Sequence, residues 1–229
     1  MEHIRNVFFK ESKKEVSNII KSIGLNENQD IQHKLGFRNI LDDLIPNYII
    51  DDNNFQVIHD LFNYFTGNIE YCKKNDINLN KGLWISGGVG TGKSSLIEAF
   101  KLYTGVILMK NSFQYHKASV ITDKVNDIGV NYLDYFGNNR YGSNCFPITC
   151  YIDDICSKNE KVNNFGTKIS VIENLIDIRY EVYKRFRKLT HFSSNVYPEQ
   201  LNDYYDIRII DRLKEMCNVF ELAGESRRA

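Results

Sequence analysis

The run Gly87-Gly88-Val89-Gly90-Thr91-Gly92-Lys93-Ser94 narrows what this chain can fold into more than any other stretch. It matches G-x-x-x-x-G-K-[ST]. The apolar run Leu83-Trp84-Ile85 leads into it and a helical pattern leads out from Lys93, so it reads as strand, loop, helix. Each residue type has a task there. Glycines let backbone N–H groups turn toward a bound anion. The helix starting near Lys93 points its positive end at the same place. Lys93 supplies a mobile point charge for the β- and γ-phosphates of a nucleoside triphosphate, and the Ser94 hydroxyl is placed to ligate Mg2+. Ser95 follows in the same turn. A chance match arises in roughly 1% of chains of this length, and chance gives it no reason to fall between a strand and a helix. The expectation is an ATP site over Gly87–Ser95, with Mg2+ as its metal.

The remaining segments supply a sheet for such a loop. Strand patterns lie at Phe113–Val120, with Val106–Met109 as an alternative, at Ile148–Ile152 and at Leu189–Ser194. Helical patterns lie at Thr122–Tyr135, Thr167–Phe186 and Arg208–Met216. Upstream, Asn6–Ile23 reads as an amphipathic helix and Gly24–Gly36 as a polar connection. Phe37–Ile45 reads as a short helix stopped before Pro46, and Asp51–Asn54 caps a helix running to about Lys74. Strands alternating with helices imply a parallel sheet covered on both faces. The fold class expected is α/β, a P-loop NTPase, with a small helical region over residues 1–44 and the nucleotide domain over residues 45–229.

Lys and Arg number 29 and Asp and Glu number 29, a balance that gives no global pull toward nucleic acid or an anionic membrane. The five cysteines, Cys72, Cys145, Cys150, Cys156 and Cys217, form no C-x-x-C pair and no zinc spacing with His. They read as buried thiols in a reducing compartment. Met1–Lys14 is charged and lacks the apolar core of a signal peptide, and no apolar run reaches the length of a membrane span. A cytoplasmic protein without a membrane partner is expected.

Thr149-Cys150-Tyr151-Ile152-Asp153-Asp154 is a mostly apolar strand that ends in two acids. Ligands of open α/β sheets bind at that end of the strands. Asp153 is the candidate to hold Mg2+ and Asp154 to polarise the attacking water. The short arm of Asp154 bears on how far it can reach. Asn195 ends the strand Leu189–Ser194; it reads either as a turn residue before Pro198 or as an amide that holds water or a γ-phosphate oxygen. Arg212, on the apolar helix Arg208–Met216, reads as an ion pair with Asp211 or Glu215 or as an arginine finger reaching a neighbouring subunit. Gly224–Arg228 reads as a basic tail or as a source of a second arginine for the phosphates.

Together these residues resemble the DnaC/IstB-type AAA+ ATPases, which comprise replicative-helicase loaders and the ATP-binding helpers of insertion-sequence transposition. The resemblance runs from Ile45-Pro46-Asn47-Tyr48, similar to the family's adenine-side segment, through Gly87–Ser94 and Ile152-Asp153-Asp154-Ile155. It continues through Ile178-Arg179-Tyr180, Phe192-Ser193-Ser194-Asn195, Ile209–Leu213 and Gly224–Arg228. It implies sensor I at Asn195, the arginine finger at Arg212 with Arg208 as second choice, and a sensor II-like arginine at Arg228. It also implies an AAA+ fold without a separate C-terminal lid domain. Cys156 stands where the family usually has Gly, and Asp211 where Ser is commoner. Met1–Leu44 matches no segment of the family and carries no cysteine cluster for zinc.

An arginine finger on the far side from its own phosphate loop implies self-association through a composite ATP site. The expected function is a weak or partner-stimulated ATPase of DNA replication that loads or remodels a replicative helicase on single-stranded DNA. The alternatives are an ATP-dependent DNA-binding helper of a transposase and a P-loop small-molecule kinase. Asn6–Ile23 is the candidate partner-docking helix, or packs on the core. Arg179–Lys188, basic with Tyr180, Tyr183 and Phe186 among the charges, reads first as a helix with a solvated basic face. Its alternative reading is a single-stranded DNA contact.

Overall fold

The computed structural model describes residues 27–46, 48–108, 113–137, 147–157, 160–164 and 167–227. The amphipathic helix expected at Asn6–Ile23 lies outside them, as do Arg228 and Cys145. The chain divides into two compact units, Met1–Thr66 with Ser94–Ser112, and Gly67–Lys93 with Phe113–Ala229.

In the first unit, helix α1 runs over Glu27–Leu44 and α2 over Phe55–Thr66. Most of the polar connection expected at Gly24–Gly36 is therefore helix. Lys34, Phe37 and Leu41 are buried at helical spacing, and a lysine in that series hides the period from a count of apolar residues. Phe37 stacks on Phe100 at 4.3 Å and meets Tyr103 edge-on at 5.7 Å. Phe65 stacks on Phe100 at 4.8 Å. Aromatic pairs in these geometries add to what their burial contributes. Asp51 Oδ1 accepts the N–H groups of Asn53 and Asn54 ahead of α2. The helix expected to reach Lys74 stops at Thr66, because Gly67 takes a φ of +73°. Asn68 then caps a separate helix, α3 at Ile69–Lys74, its side chain accepting from Tyr71 N–H.

The second unit carries a five-stranded parallel sheet. Its strands are β1 Gly82–Ser86, β2 Gln114–Lys117, β3 Cys150–Ile155, β6 Thr190–Ser194 and β7 Cys217–Glu221, in the order β2-β3-β6-β1-β7. Helix α4, Lys93–Leu102, starts at the unit's last residue before Ser94, and a π-helical turn over Tyr103–Leu108 follows it. Val106–Leu108 of the alternative strand therefore lie in that turn.

Strand β2 is half the length expected. Ala118, Ile121, Thr122 and Val125 form a buried stripe at helical spacing, so helix α5 begins at Ala118 and runs to Ile128. Gly129, at φ +90°, separates α5 from a 3-10 helix at Val130–Phe136. The helix expected from Thr167 also starts later. Strands β4, Lys161–Asn164, and β5, Thr167–Ser170, form an antiparallel hairpin, and helix α6 spans Val171–Phe186. Helix α7 spans Ile207–Met216 and passes into β7 with no intervening residue.

Trp84 of β1 anchors the core with Ile152, Phe192, Leu175, Ile176 and Leu213. Its indole N–H donates to Ser194 Oγ at 3.1 Å. Arg179 of α6 is 1% exposed and acts as a buried clamp. It donates to Thr190 Oγ1 and Phe136 O at 2.8 Å, to Ile148 O at 2.9 Å and to Leu189 O at 3.1 Å. Tyr183 is buried as well. Both residues are thus withdrawn from any DNA-contacting face of Arg179–Lys188. Lys184 pairs with Glu215 at 2.8 Å and Arg185 with Glu181 at 3.4 Å, as on a solvated basic face. Among the described residues no helix is long and apolar enough to cross a membrane, and Cys72, Cys150, Cys156 and Cys217 are buried free thiols.

Candidate functional site

The strand order decides what can meet. Strand β1 lies between β6 and β7, and β3 lies on the other side of β6. The sheet is parallel, so the residues leaving β1, β3 and β6 emerge at one edge. Those residues are the loop from Gly87, the pair Asp153–Asp154, and Asn195.

Lys93 is buried at the start of α4. Its ammonium donates to Gly87 O, Gly88 O and Asn195 Oδ1, each at 2.8 Å. The amide of Asn195 donates in turn to Asp154 Oδ1. One hydrogen-bonded chain therefore joins the loop from Gly87, the end of β6 and the second acid. A turn residue before Pro198 needs no such chain. Thr91 Oγ1 donates to Gly88 O at 3.1 Å within the loop. Ser94, next in α4, is exposed.

Two loop glycines are demanded by close approach. A Cβ on Gly87 would lie 2.3 Å from Leu222 O, just past β7. Gly90, at φ +84°, packs against the C-terminal segment, where a Cβ would lie 2.3 Å from Ser226 Oγ. Arg227 N–H donates to Gly90 O at 2.8 Å. The segment Gly224–Arg227 is therefore bonded to the glycine-rich loop at Gly90 and is not a frayed tail.

The two acids sit inside β3, which extends beyond the expected Ile152 to Ile155. Ile152 pairs with Phe192 and Ile155 with Ser194, so β3 carries one residue more than β6 over that stretch. This bulge puts Asp154 at φ +62° and Cys156 at φ +67°. It also parts the acids. Asp153 is 3% exposed, whereas Asp154 is exposed beside Asn195. Asp154 N–H donates to Ser193 Oγ at 2.9 Å, and Ser193 Oγ–H donates to Asp153 Oδ1 at 2.5 Å. Tyr151 donates to the same oxygen at 3.0 Å, and Tyr115 donates to Oδ2. Burial, and then the charge of Asp153, push the Tyr151 hydroxyl well above its ordinary range, so it stays a donor.

Behind the bulge, Cys156 N–H donates to Tyr205 Oη, and the Tyr205 hydroxyl donates to Glu160 Oε2, both at 2.8 Å. Ser157 N–H donates to Glu160 Oε1 at 2.8 Å. Burial raises the Glu160 carboxyl from 4.5 to about 7 and the Cys156 thiol to about 12. His191 accepts Leu83 N–H at Nδ1, 3.1 Å away. Burial, helped by the charge of Arg179, lowers it to about 3.

Arg212 pairs with neither Asp211 nor Glu215. Its guanidinium bonds Asp177 of α6 and lies 4.9 Å over the Tyr180 ring. Arg208 reaches the same carboxylate at 3.3 Å. Glu215 instead accepts from Tyr180 at 2.6 Å and Lys184 at 2.8 Å, bonds that hold its carboxyl below the usual range. Ile45–Tyr48 belongs to the first unit, where Tyr48 is buried.

Sequence reasoning missed Tyr115, Tyr151 and Ser193 around Asp153, and Asp177 beside the arginines. Tyr151 was findable, because two residues apart on a strand is the same face. Tyr115 meets Tyr151 only through the pairing of β2 with β3, which leaves no local signal. Among the described residues no cluster of three or more His, Cys, Asp or Glu could hold a metal by itself. The carboxylate of Asp153 is an oxygen ligand of the kind a hard cation takes, and such an ion usually shares its sphere with phosphates.

No family model matches this sequence, and no curated protein does. Solved structures do match in fold. The chain superposes on a protein from Streptococcus pyogenes serotype M3, provisionally assigned as a primosome component, with TM-score 0.55 and 18% identity, over 95% of this chain and 100% of that one. It superposes on DnaI with TM-score 0.53 and 18% identity, over 83% and 93% of the two chains. With the DnaC helicase loader the TM-score is 0.50 and the identity 14%, over 78% and 95%. The fold these structures share with the chain is α/β, a parallel sheet flanked by helices. Its structural neighbours thus include DnaI and the DnaC helicase loader, and at these identities the likeness is one of fold.

Proposed function

We propose that this chain is an ATP-binding and ATP-hydrolysing AAA+ protein of DNA replication, which loads or remodels a replicative helicase on single-stranded DNA. The observation that carries the reading is the chain Lys93–Asn195–Asp154. A phosphate-binding ammonium, an amide and a carboxylate in sequence are the groups needed to hold a γ-phosphate and orient the water that attacks it. In this reading Gly87–Ser95 hold the triphosphate, Asp154 polarises the water and Asn195 fixes both. Ser94 and Asp153 hold Mg2+, which neutralises charge on the phosphates. Arg212 acts on the ATP of a neighbouring copy, so the site is complete only in a head-to-tail assembly, and Arg228 reaches the phosphates from the C-terminus.

The test is affinity capture from native lysate with a slowly hydrolysed ATP analogue, using wild type and Lys93→Ala, read by mass spectrometry. Nucleotide-dependent recovery of a hexameric replicative helicase is expected, together with ATP hydrolysis that Lys93→Ala abolishes. Recovery of a transposase, or of DNA alone, overturns the helicase reading and leaves the ATP site standing.

A further inference from the structure

Three hydroxyl groups converge on Asp153, and they are not equivalent. Tyr151 and Ser193 both serve Oδ1, from β3 and from β6. Both strands are interior to the sheet, and both residues are buried. Tyr115 serves Oδ2 from the edge strand β2 and is only half-buried. Its ring lies beside that of Tyr151, centroids 5.3 Å apart, because the register places the two residues opposite each other. The Oδ1 bonds therefore come from interior strands, while the Tyr115 bond to Oδ2 comes from the edge strand β2.

A hydroxyl donating to a carboxylate oxygen takes up one of that oxygen's two lone pairs, and with it one of the directions from which a cation could bind. We propose that Tyr115 is a positioning residue that competes with the metal ion for Oδ2 of Asp153, and so sets how much Mg2+ the nucleotide site requires. The proposal rests on the ATPase reading above. The Tyr115 hydroxyl would give up Oδ2 when Mg2+ is bound, while Tyr151 and Ser193 would keep the carboxylate aimed. No bond is made or broken covalently.

The test uses the full chain and a fluorescent ATP analogue, with binding followed by anisotropy in EDTA and then through a Mg2+ titration. Each variant is read against its own affinity in EDTA. Tyr115→Phe is expected to lower the Mg2+ concentration for half-maximal tightening by about fivefold, the worth of one net hydrogen bond. Tyr115→Leu, which also lacks the ring, must shift it the same way. Tyr151→Phe leaves Tyr115 on Oδ2 and must not reproduce the decrease. An unchanged or higher requirement in Tyr115→Phe overturns the proposal. Failure of the wild type to bind the analogue, or equal binding by Lys93→Ala, sinks the ATP-site reading itself and is seen before any Mg2+ is added.

Discussion

Replacing Arg179 with Met should destabilise the fold by about 3 kcal/mol, the worth of one to two hydrogen bonds from a charged donor. Arg179 ties four places together: the end of the 3-10 helix at Phe136, the approach to β3 at Ile148, and Leu189 and Thr190 at the start of β6. Two of these acceptors keep a second donor, since Cys150 bonds Ile148 O through Sγ and Leu189 O through its N–H. The loss is therefore concentrated at Phe136 O and Thr190 Oγ1. Met fills most of the volume and removes a buried charge, which returns part of the cost. The assay is urea unfolding at pH 8 followed by fluorescence of Trp84, the chain's single tryptophan, which is fully buried. A second readout follows from His191, which Arg179 helps to keep near 3. His191 is depressed in the fold, so its contribution is present above about 6.5 and is lost as pH falls toward 3. Without the neighbouring charge its folded value moves up, and stability lost on acidification shrinks. Arg179→Lys keeps the charge and loses the fork, so it should weaken the fold without that change at acid pH. Stability of Arg179→Met within about 0.5 kcal/mol of wild type, with an unaltered acid branch, would refute the clamp.

Three further outcomes are expected. Glu160 is raised from 4.5 to about 7, so its stabilising share is complete below about 4.5 and is lost as pH rises through 7. At 1.36 kcal/mol per unit that loss is about 3 kcal/mol, and Glu160→Gln should flatten the fall in melting temperature between pH 5 and 8; an unchanged slope counts against the burial that raises Glu160. Asn195→Ala severs Lys93 from Asp154; steady-state hydrolysis should fall by about 100-fold while affinity for an ATP analogue changes far less, and equal losses in both would assign Asn195 to binding alone. Gly90→Ala places a Cβ against Ser226, so it should release Gly224–Arg227 and speed amide exchange at Arg227; an unchanged exchange rate means the segment is held elsewhere.

What the sequence disclosed, and what it withheld, follows from the range of the forces involved. The strand, loop and helix around Gly87–Ser94 were legible because their signals are local: apolar run, glycines, lysine. So were the acids of β3, whose alternation and charge sit side by side. Strand β7 was not, because Met216 passes into Cys217 without a glycine or proline between helix and strand. Strand β5 was absorbed into the helix expected from Thr167, since Thr167–Ser170 carries no breaker either. Arg179 was legible as a basic residue among aromatics, but its burial depends on carbonyls from three other segments. The partner of Arg212 was sought within four residues on its own helix. It came instead from Asp177, on the helix packed beside it.

The bulge in β3 answers the question posed by the short arm of Asp154. Two adjacent acids on a regular strand would face opposite sides of the sheet, one of them away from the phosphate loop. The extra residue, with Asp154 at φ +62°, leaves Asp153 under its three hydroxyls and turns Asp154 to Asn195. A carboxylate one methylene shorter than Glu then meets the amide because the backbone has moved toward it. The same irregularity explains the residue that looked out of place. Cys156 has a φ of +67°, where a side chain other than glycine costs about 1 kcal/mol. Its N–H is held by Tyr205, itself bonded to the buried Glu160. Where a glycine would reach this backbone conformation without strain, this chain reaches it through a tyrosine–glutamate pair behind the strand. Glu160 and Tyr205 therefore belong to the geometry of Asp154 although neither touches it in sequence, and loosening them should misalign Asp154 before it unfolds the sheet.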